Sequence, residues 1–364
     1  MRILYVTRKY PPSTGGMENA AYELYMALSA TNDIALVKWG GANKLLPVVY
    51  PLLLLQALWK SFTKRPDIIY LQDGLMGPLG LVLKVLLGRP TIMTIHGLEA
   101  TYANPVYRAV VPPAIRHQSQ LVAVSNETKQ KVLEGLQGSN PSVIFNGLRD
   151  SFKTTATREQ NLALIAQQTG INHEQLLSSK ILHTNGRLVR RKGVLWFIDN
   201  VMPQLLASGQ PVLYLVSGKG KDMEIIQAAV TEHKLEDSVK LLGRVSDELL
   251  QALYNTADLF IMPNIPIKND MEGFGLVALE AASCGTMVIA SKLEGIQDAI
   301  IDGQNGVLVG PGDVTGYITT IMRELGQRSI SNEDVRNYTL THYSWDETAR
   351  QYIALMQTVA GKRR

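Results

Sequence analysis

What most constrains this chain is a rhythm that runs through it twice. Short apolar runs alternate with stretches of helical spacing: "RILYVT" (2–7), "IALVKW" (34–39), "DIIYLQ" (67–72), "TIMTIH" (91–96) and "QLVAVS" (120–125) are separated by patterns such as "MENAAYELYMALS" (17–29) and "GPLGLVLKVLLG" (77–88). Continuous apolar strands joined through helices predict a parallel sheet covered on both faces. The rhythm pauses over the polar, helix-prone residues 151–179. It resumes with "KILHTNGRL" (180–188), "VLYLVSG" (212–218), "VKLLG" (239–243), "LFIMP" (259–263) and "MVIAS" (287–291). The expected fold is therefore α/β, with two doubly wound Rossmann-like domains: residues 1–150 and residues 151–344. Two such sheets facing each other would enclose a cleft, and ligands of open α/β sheets bind at the carboxyl ends of the strands. A closing helix over about 345–364 has apolar positions at helical spacing.

A length of 364 residues with 46% hydrophobic and 19% charged content suits two well-cored domains. The single cysteine, Cys284, excludes an intramolecular disulfide and a cysteine-rich zinc site. Residues 1–8 read as a first strand rather than a secretory leader, and a cytoplasmic location is expected. Residues 1–150 carry 15 Lys and Arg against 9 Asp and Glu, and the remainder 21 against 23. The basic first half favours an anionic partner such as a membrane surface. Its scattered cations accompany no nucleic-acid motif, so nucleic acid is not expected. The segment "LLPVVYPLLLLQALWKSFTKR" (45–65) is apolar, interrupted by Pro47 and Pro51, and basic at its end. It is too broken to span a bilayer and either packs within the first domain or rests on an anionic membrane.

Chemistry is expected in the loops that follow strands. Arg187 and Lys192 flank a turn ending in Gly193 before the helical run "VLWFIDNVMPQLL". Cations beside a helix N-terminus make a phosphate site, although the neighbouring Arg190 and Arg191 equally suit a solvated surface. Gly218 and Gly220 after "LYLVS" allow close backbone approach, as ordinary turn glycines also do. In "NDMEGFGLVALEAASCG" (269–285), Glu272 and Glu280 stand eight positions apart around a helix predicted from near Gly275 to about Ser283. Amides of Phe274, Gly275 and Leu276 would open at its mouth, with Gly273 and Gly275 allowing close approach. A carboxylate accepts hydrogen bonds from vicinal hydroxyls, and a nucleotide sugar has two polyol ends with a diphosphate between. Glu272 would then take the sugar, the amides the diphosphate and Glu280 the ribose. The alternative is a loop charge and a salt-bridged helix residue, but an acidic residue inside so apolar a helix requires a partner.

In the first half, Gly15 and Gly16 follow the first strand and precede a helix, an arrangement that exposes amides to phosphate. No G-x-G-x-x-G occurs there, which disfavours a nicotinamide enzyme. His96 ends the strand "TIMTIH", where it could polarise a reacting group or serve as a structural hydrogen-bonder. Ser125 and Asn126 resemble a helix cap, and no G-x-S-x-G elbow is present.

Together these stretches resemble the family-4 glycosyltransferases, retaining enzymes of the GT-B fold, over nearly the whole chain. The resemblance is carried by the E-x7-E motif in "EGFGLVALE", by "GRLVRRKG", by the strand-end His96, and by "VAVSNET", "VIFNGL" and "NTADLFIMPN". It implies that Arg187 and Lys192 bind the donor diphosphate, that Glu272 contacts the transferred sugar and Glu280 the ribose, and that Phe274 and Gly275 lend amides. Gly16 would approach the diphosphate from the first domain, His96 would face the sugar, and the last helix would cross back to the first domain. "KLEGIQDAI" (292–300) departs from the Gly-Gly-x-Pro-Glu stretch of many members, with Gly295 and Asp298 as stand-ins. The implied reaction passes a sugar from a nucleotide diphosphate, UDP before GDP, to an acceptor hydroxyl with retention. A lipid-linked saccharide in cell-surface polysaccharide or glycolipid assembly is the first choice of acceptor. Arg187 and Lys192 would replace a divalent ion, so no metal is expected, and no D-x-D motif is present. The rival readings are a nucleotide-sugar epimerase or sugar phosphorylase on the same fold, and a non-catalytic subunit that binds sugar nucleotide or lipid.

Overall fold

The computed structural model describes residues 1–361 apart from 14, 42–44, 98, 100–103, 137, 149–151 and 269. The chain divides into two compact units, Met1–Gly147 with Tyr343–Arg364, and Leu148–His342. The boundary expected at residues 150 and 151 lies outside the described residues, as does the basic tail beyond Gly361.

In the first unit, β1 (Arg2–Thr7), β2 (Asp33–Lys38), β3 (Ile68–Leu71), β4 (Thr91–Ile95), β5 (Gln120–Ala123) and β6 (Ser142–Val143) form one parallel sheet in the order β2-β1-β3-β4-β5-β6. Its connecting helices are α1 (Gly16–Ser29), α2 (Leu46–Lys64), α3 (Gly77–Leu87), α4 (Pro105–Arg116) and α5 (Asn126–Gly135). Right-handed crossovers require α1 on one face and the helices after β2, β3 and β4 on the other. Accordingly α2 packs on α3 and α3 on α4. The segment 45–65 is one continuous helix rather than a broken run. Pro47 sits in its first turn, and Pro51, inside it, removes one backbone donor near its start. The last helix, α16 (Trp345–Gly361), packs on α1. The Tyr352 hydroxyl meets Thr94 Oγ1 at 2.9 Å under the sheet, and a side chain at Gly147 would collide with Trp345.

The second unit begins with α6 (Arg158–Thr169) and α7 (His173–Ser178) and contains β7 (Lys180–Asn185), β8 (Val212–Ser217), β9 (Val239–Gly243), β10 (Leu259–Met262), β11 (Met287–Ser291) and β12 (Gly306–Val309). Their order, β12-β11-β10-β7-β8-β9, is again parallel throughout. The helices are α8 (Val194–Asn200), α9 (Met202–Ala207), α10 (Met223–Glu232), α11 (Asp247–Thr256), α12 (Leu276–Ser283), α13 (Ile296–Ala299), α14 (Val314–Gly326) and α15 (Asn332–His342). The single helix expected after Gly193 is two, α8 and α9, and Pro203 stands in the first turn of the second. The core is built around fully buried Phe197, Tyr214, Tyr254, Phe260 and Tyr317. Strand order reverses between β7 and β10, which pair directly. At such a switch point the loops leave in opposite directions and open a crevice. The loops following these two strands carry Lys192 and Glu272.

Candidate active site

Two backbone contacts seat the loop after β7. The 3-10 turn Arg190–Lys192 ends at Gly193, with φ +69. A side chain at Gly193 would collide with the Pro263 carbonyl, so only glycine lets the two switch-point loops touch. Ile265 N–H donates to the Arg191 carbonyl at 3.0 Å, fixing the loop after β10 to the turn.

That seating brings together charges far apart in the sequence. Lys192 Nζ lies 2.6 Å from Glu272 Oε2, with both side chains nearly buried. Asn264 Nδ2 donates to the same oxygen at 3.2 Å, and Arg191 stands 3.7 Å from it. Burial by itself would push the Glu272 carboxyl up. The Lys192 and Arg191 charges, with hydrogen bonds from Lys192 and Asn264, more than reverse this and hold it below the usual carboxylate range. Arg191 is a brace for the loop rather than a solvated surface charge. It is buried, donates to the Met271 carbonyl at 3.2 Å, and approaches Asp270 at 3.5 Å. Arg187 is exposed and forms no ion pair with a described residue.

The E-G-F-G turn leads into α12. Gly275 is the N-cap in the left-handed region, with φ +91, and no side chain caps the helix. Its first internal bond is Ala278 N–H to the Gly275 carbonyl. The amides of Leu276 and Val277 therefore precede the intrahelical ladder and mark the positive end of the helix dipole. Phe274 is buried beneath the turn. The loop 292–296, which departs from the family pattern, packs directly on this turn. Glu294 Oε2 accepts from Glu272 N–H at 2.5 Å, Gly295 N–H donates to the Glu272 carbonyl at 3.2 Å, and a side chain at Gly295 would strike the Gly273 carbonyl. Glu294 holds a left-handed conformation, φ +49, uncommon for a residue with a Cβ.

Glu280 lies in the second turn of α12, where a buried polar chain holds it. The Tyr254 hydroxyl donates to Glu280 Oε2 at 2.7 Å, and Asn185 Nδ2 donates to that hydroxyl at 2.9 Å. Ser217 Oγ donates to Asn185 Oδ1 at 3.0 Å and lies 2.9 Å from His183 Nε2. Ser217 Oγ also lies 3.4 Å from the Thr184 carbonyl, so the chain ties β7 and β8 to the helix that bears Glu280. Burial lowers the His183 pKa to about 3 and keeps the ring neutral. Burial also raises the Glu280 carboxyl, an effect the Tyr254 hydrogen bond and the Lys192 charge partly offset. Lys192 thus acts electrostatically on both glutamates.

Sequence reasoning gave Arg191 no role beyond a solvated surface charge and passed over Asn264, Glu294, Asn185 and Tyr254. "GRLVRRKG" and "NTADLFIMPN" contained Arg191 and Asn264, but their partners come from other elements, so no local spacing signals the contact. At Gly218 the space a Cβ would fill is taken by the Gly186 carbonyl, and at Gly220 by that of Leu188. These glycines are required by loop-on-loop packing.

Gly15, Gly16 and His96 belong to the first unit. Gly16 opens α1, and a side chain at Gly15 would meet the Glu18 carboxylate, which Lys9 engages at 2.8 Å. His96 Nε2 lies 2.9 Å from the Gln72 carbonyl, which can only accept, so Nε2 is the donor. Glu99 steadies the same corner by accepting from His96 N–H at 3.1 Å. Among the described residues no three His, Cys, Asp or Glu side chains come together.

Each unit is a doubly wound parallel sheet, as in a GT-B protein, and the second carries at its switch point carboxylates and cations around an uncapped helix mouth. The comparisons narrow this further. Residues 179–327 match the family described as "Glycosyl transferases group 1" and residues 33–152 match "Glycosyltransferase Family 4". An uncharacterised glycosyltransferase of Methanocaldococcus jannaschii is 23% identical over 97% of each chain. The glycogen synthase of Mycobacterium tuberculosis is 26% identical over 80% of this chain and 69% of its own. The HepE protein of Anabaena, solved with UDP and with UDP-glucose, superimposes with TM-scores of 0.77 and 0.75 at 19% identity, over 98% of this chain and 100% of its own. The chain belongs to the family-4 glycosyltransferases and is a glycosyltransferase enzyme.

Proposed function

We propose that the enzyme transfers a sugar from a UDP-sugar, with retention, to a hydroxyl of a lipid-linked saccharide during cell-surface polysaccharide or glycolipid assembly. The observation that carries the reading is the Lys192–Glu272 pair, 2.6 Å long, at the mouth of the helix that also bears Glu280. A cation and a carboxylate from the two switch-point loops, with the uncapped amides and second carboxylate of α12, match the succession of groups along a nucleotide sugar. HepE, a structural neighbour, is solved with UDP-glucose.

In this reading Lys192 and Arg187 neutralise the diphosphate, and the first amides of α12 point their dipole at it. Glu280, held by Tyr254, accepts from the ribose hydroxyls. Glu272 accepts from the transferred sugar, oriented by Asn264 and Arg191. As the bond from the anomeric carbon to the diphosphate breaks, charge builds on the leaving oxygens, and the fixed cations and amides stabilise it most in the transition state. The acceptor oxygen bonds the same face of the anomeric carbon, and its proton passes to the leaving diphosphate. With two side-chain cations on the diphosphate, the reaction proceeds without a divalent metal at the cytoplasmic face of the membrane.

The test is incubation with UDP-glucose, UDP-galactose and GDP-mannose, with and without EDTA, over a lipid extract as acceptor. The proposal predicts EDTA-insensitive release of UDP and a lipid product with the donor's anomeric configuration. An inverted linkage, a strict metal requirement or release of GDP alone contradicts it. Dependence on inorganic phosphate would indicate a phosphorylase.

A further inference from the structure

Helix α2 is apolar on two sides, and the sheet covers only one of them. Val49, Leu53 and Ala57 are buried. A second stripe at positions 48, 52, 55, 59 and 62, the alternating four-and-three spacing of one helical face, faces outwards. Trp59 is 68% exposed and Phe62 83%. The neighbouring helices extend the stripe, with Val85 on α3 72% exposed and Val106 on α4 74% exposed. Since α2 packs on α3 and α3 on α4, these residues belong to one side of the first unit. A monomer seldom leaves so much aromatic and aliphatic surface in water without a partner for it.

The charges around this face identify the partner. The sequences of α2, α3 and α4 contain no Asp or Glu. Each helix connects parallel strands, so all three run in the same direction and their C-termini share one edge. Lys64, Arg65, Arg89 and Arg116 stand there, all exposed. The next carboxylate along the chain, Asp67, is paired with Arg2 at 2.7 Å. A second copy of this face would set cation against cation. A surface with an apolar interior and negative headgroups satisfies both the stripe and the basic edge. No helix among the described residues is long and apolar enough to cross a membrane.

We infer that the α2–α3–α4 face of the first unit docks on an anionic lipid bilayer, seating Trp59 and Phe62 among the acyl chains and the basic edge on the headgroups. This deepens the lipid-linked acceptor reading and rests on it for the chemistry of the partner, but its test involves no sugar transfer.

The experiment is flotation of the full chain with phosphatidylcholine vesicles, with and without phosphatidylglycerol. The wild type is expected to float with the anionic vesicles and to be released by salt. Trp59→Glu with Phe62→Glu is expected to weaken binding about tenfold or more, and Lys64→Glu with Arg65→Glu to abolish the preference for phosphatidylglycerol. Both variants, altered only at exposed positions, should keep the wild-type thermal shift with UDP. Wild type that stays in solution, or variants that float as it does, overturns the inference. So does a dimer in solution that the Trp59 and Phe62 changes convert to monomer without any vesicle binding. Flotation as expected from a protein that transfers no sugar would leave this inference standing and remove the acceptor reading.

Discussion

The Tyr254 hydroxyl, on a helix that precedes β10, donates to the Glu280 carboxylate at 2.7 Å, with the tyrosine fully buried and the glutamate half-buried. Tyr254 therefore acts as a positioning residue for the carboxylate assigned to the ribose. In Tyr254→Phe the ring stays and a hydrogen bond to a charged group is lost, worth about 1.5–3 kcal/mol. UDP should bind about tenfold more weakly, with kcat for a UDP-sugar little changed. An equal loss in kcat would show that Tyr254 does more than hold Glu280.

Lys192 is the charge that both glutamates share. Lys192→Ala should lower kcat by about two to three orders of magnitude, the usual consequence of deleting a group that stabilises transition-state charge. The remaining Arg191, 3.7 Å from Glu272, limits the structural damage. Steady-state kinetics separates this from Arg191→Ala, which should instead lower the Tm because it frees the Met271 carbonyl and loosens the loop.

The two glutamates should respond to pH in opposite directions. The Glu272 carboxyl is held below its ordinary value, so its ionised form stabilises the fold at neutral pH, and that contribution is lost as pH falls through the folded value. The Glu280 carboxyl is raised, so its stabilising contribution is complete in acid and is lost as pH rises through the folded value. At neutral pH Glu272→Gln should lower the Tm, whereas Glu280→Gln should raise it. Both differences should shrink in acid. Thermal melts across pH check this, and the same Glu280→Gln protein should bind UDP more weakly, so that stability is gained where function is lost.

Gly193→Ala should be severely destabilising although the residue touches no ligand in this account. Its φ of +69 and the Pro263 carbonyl leave no room for a methyl group, and strain of this kind costs on the order of 1–3 kcal/mol before the collision is counted. Chemical denaturation of the variant measures the loss.

The buried strands were the most legible, because β1, β8 and β11 read as nearly unbroken apolar runs. Of the four edge strands, β2 and β9 were read, but β6 and β12 were not. β6 is the two half-buried residues Ser142–Val143, and β12 starts at Gly306, so neither carries a periodic signal. Glu272 and Glu280 could be singled out because both lie in one continuous motif. Arg191, Asn264 and Tyr254 could not, because what makes them important is a partner supplied by another strand or helix. In α2, Pro47 and Pro51 suggested a broken segment. The helix absorbs both within its first two turns, where the loss of a donor is cheapest. The segment was also read as either packed within the domain or resting on a membrane, whereas one helix carries both a buried apolar stripe and an exposed one.

Calorimetric titration with UDP, with GDP alongside, tests the central claim most directly: that the mouth of α12 with Lys192 and Glu280 is one nucleotide-diphosphate site. UDP should bind the wild type saturably and bind both Lys192→Ala and Glu280→Ala at least about tenfold more weakly. Unchanged affinity in both folded variants, or no binding of either nucleotide to the wild type, would contradict it.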